Sequence, residues 1–214
     1  MARLAFCLML VCTLLAGCGG SNINTYKNPH WDGYTDKIAI IPLLIASAPD
    51  DQRSRSKNPT WIAKTGGKDL PDAEYQAAQA ALVRELRPVL GERLLVLPEE
   101  VDRVMSKNKD APPMDPGKAA AVATKKTKSH TGLVFSISDY RIVPAGARAK
   151  NGEEGPLVTG SVHVAMFGPQ GKTVWSLAAD MELEGDSRPP SVKEFVVYAA
   201  EALGSAIERS MEGL

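Results

Sequence analysis

The sequence predicts an α/β (α+β) domain in which a mixed sheet of about five strands packs against helices. Three observations support this prediction. A nearly continuous apolar run opens the first half, three strand-like segments follow in the second half, and helical patterns lie before and after those segments. The predicted order is strand, helix, strand, helix, helix, three strands, helix, which is typical of a sheet covered by helices.

The first predicted strand is "KIAIIPLL", Lys37–Leu44, which is apolar over almost its whole length. Such a run is typical of a strand that is covered on both faces. Pro42 cannot donate a backbone hydrogen bond, so we expect it to mark the end of the strand or an edge position. Residues 45–69 then form a long loop, and loops of this length in compact domains tend to be functional or disordered.

The next segments predict a helix, a strand and a second helix, and a third helix follows. The first helix covers about residues 71–87, with apolar side chains on one face, and Pro88 follows it. A short apolar run over 93–98 predicts the second strand, and Pro98 begins the second helix. The third helix begins at Pro116, with an aspartate before it as the N-cap.

The second half changes to the period of strands. Residues 133–143, 157–167 and 173–185 are strand-like, and in the last of them apolar and polar residues alternate cleanly, which predicts a sheet with one wet face. The chain closes with a helix that Ser191 can cap, and Glu194 can complete a capping box.

The amino-terminal residues predict where in the cell the protein is located. After Arg3 comes the apolar stretch "LAFCLMLVCTLL" and then small residues, which together are typical of a secretory signal peptide over residues 1–17. The stretch is too short to span a bilayer, and the alternative is a buried amino-terminal helix. Residues 18–36 are polar and predict a tether, and residues 37–214 predict one domain of ordinary size.

The residues "LAGC", Leu15–Cys18, resemble a bacterial lipobox. The resemblance implies cleavage between Gly17 and Cys18, a diacylglyceryl thioether on Cys18, and an acyl chain such as palmitate on its new amino group. Several acyl chains anchor a protein stably, whereas one gives marginal binding. Gly19, in place of the aspartate that often retains such proteins in the inner membrane, implies the outer membrane of a bacterium with two membranes, with the domain facing the periplasm.

The composition of the chain argues against several classes of partner and functional site. Acidic and basic side chains number 25 each, so no strong field favours a nucleic acid partner. Cys7 and Cys12 leave with the signal peptide and Cys18 carries lipid, so no thiol remains for a disulfide, a metal site or a nucleophile. The three histidines lack metal-ligand spacing. We therefore expect no metal, no cofactor beyond the lipid, and no enzyme.

Two sets of side chains are nevertheless candidates for function. Asp180, Glu182 and Glu184 share one strand face, which predicts a solvated face, or alternatively the carboxylates of a small envelope enzyme or a calcium site. Trp31, Trp61 and Ile62 lie in segments predicted to be irregular. Tryptophan is enriched at protein interfaces, so these residues are candidates for partner binding, and the alternative is that they pin their loops to the domain.

Three stretches resemble a group of small envelope domains. They are "YKNP" with "DKIAIIPL", then "HTGLVFSISDYRI", and then "GPQGKTVWSLAADMEL". The group includes lipoprotein activators of peptidoglycan synthases, the curli secretion channel lipoprotein, the amino-terminal domain of the Tol-system propeller protein, and the Pel exopolysaccharide secretion lipoprotein. Leucine at position 43, "HT" at 130–131 and the long loop depart from the group's pattern, which leaves the subfamily open.

The resemblance implies a non-catalytic, lipid-anchored binding or assembly module of an envelope export or cell-wall apparatus. Its partners would be the membrane and envelope proteins, with copies of itself among the candidates. A peptidoglycan-synthase activator is the alternative in the same class. Such activators commonly carry a long tether, so a tether of only 18 residues weakens that alternative.

Overall fold

The structure is a computed structural model that describes residues 23–48, 55–63, 68–107, 112–146, 155–212 and 214. All structural statements concern these residues. The predicted signal peptide, its cleavage site and Cys18 lie outside them.

The described residues form nine strands and four helices. The strands are β1 (Asn24–Lys27), β2 (Lys37–Ile40), β3 (Leu44–Ser47), β4 (Arg55–Ser56), β5 (Lys68–Asp69), β6 (Leu94–Val96), β7 (Thr131–Val143), β8 (Leu157–Phe167) and β9 (Thr173–Glu184). The helices are α1 (Asp72–Leu90), α2 (Pro98–Met105), α3 (Pro116–Thr127) and α4 (Val192–Met211).

Seven of the strands form one mixed sheet in the order β1-β9-β8-β7-β2-β6, with β3 also beside β7. β2 runs parallel to both β6 and β7, and β3 runs parallel to β7. From β7 to β1 every neighbouring pair is antiparallel. The fold class and the predicted run of helices and long strands are therefore confirmed, but the sheet has seven strands where about five were predicted.

One additional strand arises because Pro42 divides the first apolar run into β2 and β3. Ile41 still donates its backbone N–H to the carbonyl of Leu133 at 2.8 Å, which continues the ladder from β2. Proline has no N–H to donate, so the regular pairing stops there and resumes where Leu44 lies opposite Ser136 of β7. Pro42 thus marks the end of a strand, as predicted, and a second short strand follows it.

The other additional strand, β1, lies within the segment for which the sequence predicts a tether. Asn24 pairs with Ala178 and Lys27 with Trp175 of β9, and all four residues of β1 are exposed. An edge strand needs only backbone hydrogen bonds on one side, so it can form without an apolar pattern. The predicted tether of residues 18–36 is corrected accordingly, because the domain already begins at Asn24.

A large core lies between the sheet and the helices α1 and α4. Its largest fully buried side chains include Trp175, Phe135, Tyr140, Phe195 and Leu82. The inward residues of β9 alternate with exposed ones as the sequence predicts, since Trp175, Leu177, Ala179 and Met181 are all buried.

A second core lies on the opposite face of the parallel half of the sheet. It packs Ile41 and Val134 of that half against Val101 of α2, Ala120 of α3 and the Trp61 side chain. The antiparallel half keeps an open polar face on this side, where Ser138, His163 and Asp180 are exposed. The sheet is therefore covered on both faces at one end and on one face at the other.

β7 contains a β-bulge, because its register with β8 shifts between Ser138 and Arg141. Asp139 has φ 53°, a left-handed conformation that aspartate tolerates better than most residues. The bulge keeps Tyr140 buried, with its ring 5.9 Å from that of Phe195 in an edge-to-face contact. Gly160 lies opposite, where a Cβ would come within 2.9 Å of Ile137 Cγ2, so the close approach requires glycine.

The closing helix begins with the predicted capping box. Ser191 Oγ accepts from the backbone N–H of Glu194 at 3.2 Å, and Glu194 Oε2 accepts from the backbone N–H of Ser191 at 2.6 Å. Arg188 donates through Nη2 to Glu194 Oε1 at 2.7 Å. The Arg188 hydrogen bond first, and then the hydrogen bonds from Ser191, lower the pKa of Glu194 to about 2.

We predict that Glu194→Gln destabilises the protein by about 1 kcal/mol or less, because a glutamine oxygen can still accept from the backbone N–H of Ser191 and solvent screens the lost Arg188 ion pair. A depressed pKa stabilises the fold above the carboxyl's ordinary pKa, and that contribution is lost as the pH falls towards 2. The difference from wild type in urea unfolding should therefore be full at pH 6 and shrink between about pH 4.5 and 2.

The control is Glu201→Gln, which changes an exposed glutamate on the same helix. We expect little effect of that substitution at any pH. A Glu194→Gln effect that stays constant from pH 6 to pH 2.5 would contradict the assigned cause.

Candidate functional site

The candidate site is a groove beyond the carboxyl ends of β2 and β6, which we call the strand-end groove. Its volume is about 570 Å³, and its walls are Pro42, residues 57–60, the first turns of α1 (Tyr75, Gln76, Gln79) and one face of α2 (Glu99, Asp102, Arg103, Ser106). Ligands of open α/β sheets commonly bind outside the carboxyl ends of parallel strands, where helices on opposite faces diverge.

The inner wall of the groove is built where Pro42 interrupts the sheet. The backbone N–H of Leu43 donates to Gln79 Oε1 at 3.3 Å, and its carbonyl accepts from the Tyr75 hydroxyl at 2.8 Å. Gln79, only 3% exposed, donates in turn to Glu99 Oε1 at 3.3 Å. Side chains of α1 therefore replace the hydrogen bonds that a continuous strand would have made, and they tie α1 to α2.

The outer wall is the segment 55–63, which Trp61 fastens to α2. The indole N–H of Trp61 donates to Asp102 Oδ1 at 2.7 Å, and the Ser106 hydroxyl donates to the same oxygen at 3.2 Å. Met114 and Ala63 add backbone hydrogen bonds, in which Met114 donates to the Trp61 carbonyl and Ala63 donates to the Met114 carbonyl. The segment is therefore held from both sides.

A lysine and an aspartate form an ion pair at the rim of the groove. Lys57 Nζ lies 2.7 Å from Asp72 Oδ1 and 5.8 Å from the centre of the Tyr75 ring. The hydrogen bond from Lys57 lowers the pKa of Asp72. Burial, followed by the charges of Asp102 and Glu99, raises the pKa of Tyr75, so its hydroxyl stays protonated as a hydrogen-bond donor.

The arrangement is suited to binding. Tyr75, Gln79 and Asp102 in its walls already hold hydrogen bonds, whereas the buried Asn58 Oδ1 has no hydrogen-bond partner among the described atoms. Exposed side chains such as Gln76 and Arg103 offer hydrogen bonds and charge to a partner. Within the described ranges, no three His, Cys, Asp or Glu side chains come together as they would around a metal ion. No helix in the described part of the chain has the length and apolar character needed to cross a bilayer.

The structure places Trp61 and Ile62, two predicted partner-binding residues, in the second core, where they are 3% and 1% exposed. Their burial supports the alternative that they pin the long loop to the domain. Contact with a partner through this segment would have to use its exposed residues, such as Thr60.

Trp31 is half-buried and packs against the larger core. A Cβ at Gly33 or Gly168 would collide with its ring, so two glycines make room for it. Its Nε1 is buried and has no hydrogen-bond partner among the described atoms. Trp31 lies outside the strand-end groove, and its role in partner binding stays a prediction.

The three acidic residues of β9 lie at the open face of the sheet. Asp180 accepts a hydrogen bond from the Ser161 hydroxyl at 2.5 Å, and Glu184 accepts from the backbone N–H of Gly155 at 3.1 Å. Asp180, Glu182 and Glu184 are all exposed. His163 is exposed on the next strand, where partial burial of its ring lowers its pKa and favours the neutral form.

Sequence reasoning did not single out Gln79 or Asp102. Gln79 carried a signal, because it is a polar residue on the apolar face of a predicted helix, four positions after Tyr75. Asp102 carried none, since an aspartate in the middle of a short surface helix is ordinary. Only the tertiary structure brings it to Trp61.

We predict that Trp61→Phe costs more stability than Trp31→Phe, by about 1–2 kcal/mol. The first change leaves the Asp102 carboxylate without its indole donor, whereas the second removes a buried donor that has no partner. Both replace the same ring by the same smaller one, and the greater burial of Trp61 adds to the loss expected there. Urea unfolding of the two variants and the wild type measures the difference, and equal losses would contradict a stabilising Trp61–Asp102 hydrogen bond.

No protein-family model matches the sequence, and no curated protein sequence matches it. Solved structures do resemble the fold. The PelC dodecamer from Paraburkholderia phytofirmans is 13% identical with a TM-score of 0.45, and the likeness covers 86% of this chain and 96% of that one. Lipoprotein GNA1162 from Neisseria meningitidis is 16% identical with a TM-score of 0.44, covering 81% of this chain and 98% of that one.

The LpoB C-terminal domain from Escherichia coli is 12% identical with a TM-score of 0.37, and the likeness covers 81% of this chain and 93% of that one. At these identities the likeness concerns the fold alone. The neighbours match the group of envelope lipoprotein domains that the sequence resembles.

Proposed function

We propose that this protein is a lipid-anchored, non-catalytic binding or assembly module on the periplasmic side of the outer membrane. The observation that carries the proposal is the strand-end groove, an open polar and apolar surface whose walls are held by the hydrogen bonds of Tyr75, Gln79 and Trp61. Its partner would be a protein of an export or cell-wall apparatus, or another copy of this chain.

The position of β1 limits how far the domain could lie from a lipid on Cys18. Five residues, 19–23, lie between Cys18 and Asn24, the first residue of the sheet, so six Cα–Cα steps join the two. Even fully extended, that link spans at most about 21 Å. A lipid on Cys18 would therefore hold the folded domain close to the membrane surface, and a protein partner would have to meet it there.

The short link between Cys18 and β1 also bears on the alternative of a peptidoglycan-synthase activator. An activator anchored in the outer membrane has to reach a synthase held at the other side of the periplasm. The sequence predicts an 18-residue tether, and β1 leaves only residues 19–23 between the lipid site and the sheet. A partner at the outer membrane is therefore favoured over one that lies across the periplasm.

The alternative from another class is a small enzyme that uses Asp180, Glu182 and Glu184. These side chains lie on the open face of a strand, and residues two apart on a strand are about 6.6 Å apart. Asp180 and Glu184 already accept hydrogen bonds from Ser161 and Gly155. The geometry favours a solvated sheet face over a catalytic pair.

The proposed lipid anchor predicts the mass of the mature protein. In protein isolated from cell envelopes, mass spectrometry should find Cys18 as the first residue, carrying a diacylglyceryl group and an acyl chain. Cys18→Ser should abolish both the lipid and the cleavage after Gly17. Cys12→Ser, which changes a thiol inside the signal, should leave both intact. A free thiol at Cys18, or an intact leader, in the wild-type protein would refute the anchor.

The binding surface predicts which substitutions matter. Arg103→Glu together with Gln76→Lys changes the exposed walls of the strand-end groove and should abolish a measured envelope phenotype while the protein remains folded. Asp180→Asn, Glu182→Gln and Glu184→Gln, combined as the matched control, should leave that phenotype unchanged. The reverse result would favour the enzyme, and circular dichroism of both variants checks the fold.

A further inference from the structure

We propose that the β1 edge of the domain is a lipid-contacting surface, a property that rests on the proposed anchor at Cys18. This surface, which we call the β1 shelf, consists of Ile23, Tyr26 and Lys27 together with Ala206, Arg209 and Ser210 in the last turns of α4. Its occupant is the phospholipid surface that holds the anchor.

The β1 shelf carries exposed apolar side chains next to the anchor. Ile23 is 36% exposed and Tyr26 is 51% exposed, and both line the depression between β1 and α4. A tyrosine has an apolar ring and a polar hydroxyl. It is therefore stable at the level of lipid headgroups, where the ring can contact hydrocarbon and the hydroxyl can contact water. The chemistry of this pair therefore fits the membrane interface.

The shelf also has a shape and charges that suit headgroups. A shallow depression of about 410 Å³ lies between β1 and α4. Lys27 Nζ donates to the Glu212 carbonyl at 2.5 Å, and Arg209 is exposed beside it. Glu208 and Glu212 are exposed at the same helix end, so cations and carboxylates balance. This balance favours a surface rich in zwitterionic lipid over a strongly anionic one.

The reach of the anchor restricts which side of the domain can face the membrane. Five Cα–Cα steps join Cys18 to Ile23, which allows at most about 18 Å. β6 lies five strands away from β1 in the sheet, or roughly 24 Å. An orientation with β6 on the membrane and β1 directly above it is therefore out of reach. The β1 shelf is the side that the anchor holds nearest to the membrane.

This orientation also covers an open edge. β1 is the last strand of the sheet, and no other described strand pairs with its outer side. Exposed edge strands invite pairing with other chains, and proteins cover or blunt them. With β1 at the lipid surface, the strand-end groove beyond β2 and β6 points towards the periplasm and stays open to a partner.

The test is site-directed spin labelling of the mature, lipidated protein in vesicles of phosphatidylethanolamine and phosphatidylglycerol. Tyr26→Cys places a label on the β1 shelf. Leu94→Cys, at a residue that is 62% exposed in β6, is the matched control at the opposite edge. We expect the ratio of oxygen to nickel-complex accessibility to be severalfold higher at position 26, because oxygen concentrates near lipid and the metal complex stays in water.

Mass spectrometry of the same samples separates the proposals. With lipid present on Cys18, equal, water-like accessibility at both positions would overturn the β1 shelf and leave the anchor standing. A thiol at Cys18 would take up label itself, and that result would overturn the anchor and the shelf together. If Tyr26→Cys fails to fold, as judged by circular dichroism, Ile23→Cys gives the same readout from the same surface.

Discussion

The missing N–H of Pro42 is the constraint on which the rest of this structure depends. It stops the ladder between β2 and β7 in the middle of an apolar run, and it leaves the backbone of Leu43 without strand partners. A buried, unpaired peptide group would cost roughly 1–3 kcal/mol, so Gln79 and Tyr75 of α1 supply its hydrogen bonds. The position of α1 against the strand end follows from those two bonds, and so does the inner wall of the groove.

Residues 55–63, within the predicted long loop, become part of the fold because two of their side chains are buried. Trp61 and Ile62 enter the second core, and the indole N–H finds Asp102 on α2. A buried tryptophan needs a partner for its N–H, and a carboxylate is a strong one. The same interaction that anchors the segment also forms the outer wall of the strand-end groove, so stability and the candidate binding surface share residues.

The order of strands separates two surfaces with different chemistry. β1 and the carboxyl end of α4 present Ile23 and Tyr26 beside balanced charges, close to the proposed lipid site. The groove lies at the other edge, beyond β2 and β6. A sheet is stiff across its hydrogen-bonded strands, so an anchor at one edge would orient the other edge. A single domain could therefore hold to a membrane and present a binding surface away from it.

The sequence by itself determined the fold class, the long strands β7 to β9, and the helix starts at Pro98, Pro116 and Ser191. Local signals carry these features, since proline at the first helical turn, a capping box and strict alternation each act within a few residues. The tertiary structure alone decided that Asn24–Lys27 pairs with β9, that Trp61 is buried, and that Gln79 and Asp102 line a groove. These depend on partners that are distant in the chain: an edge strand borrows its order from its neighbour, and a side chain is buried or displayed according to what packs over it.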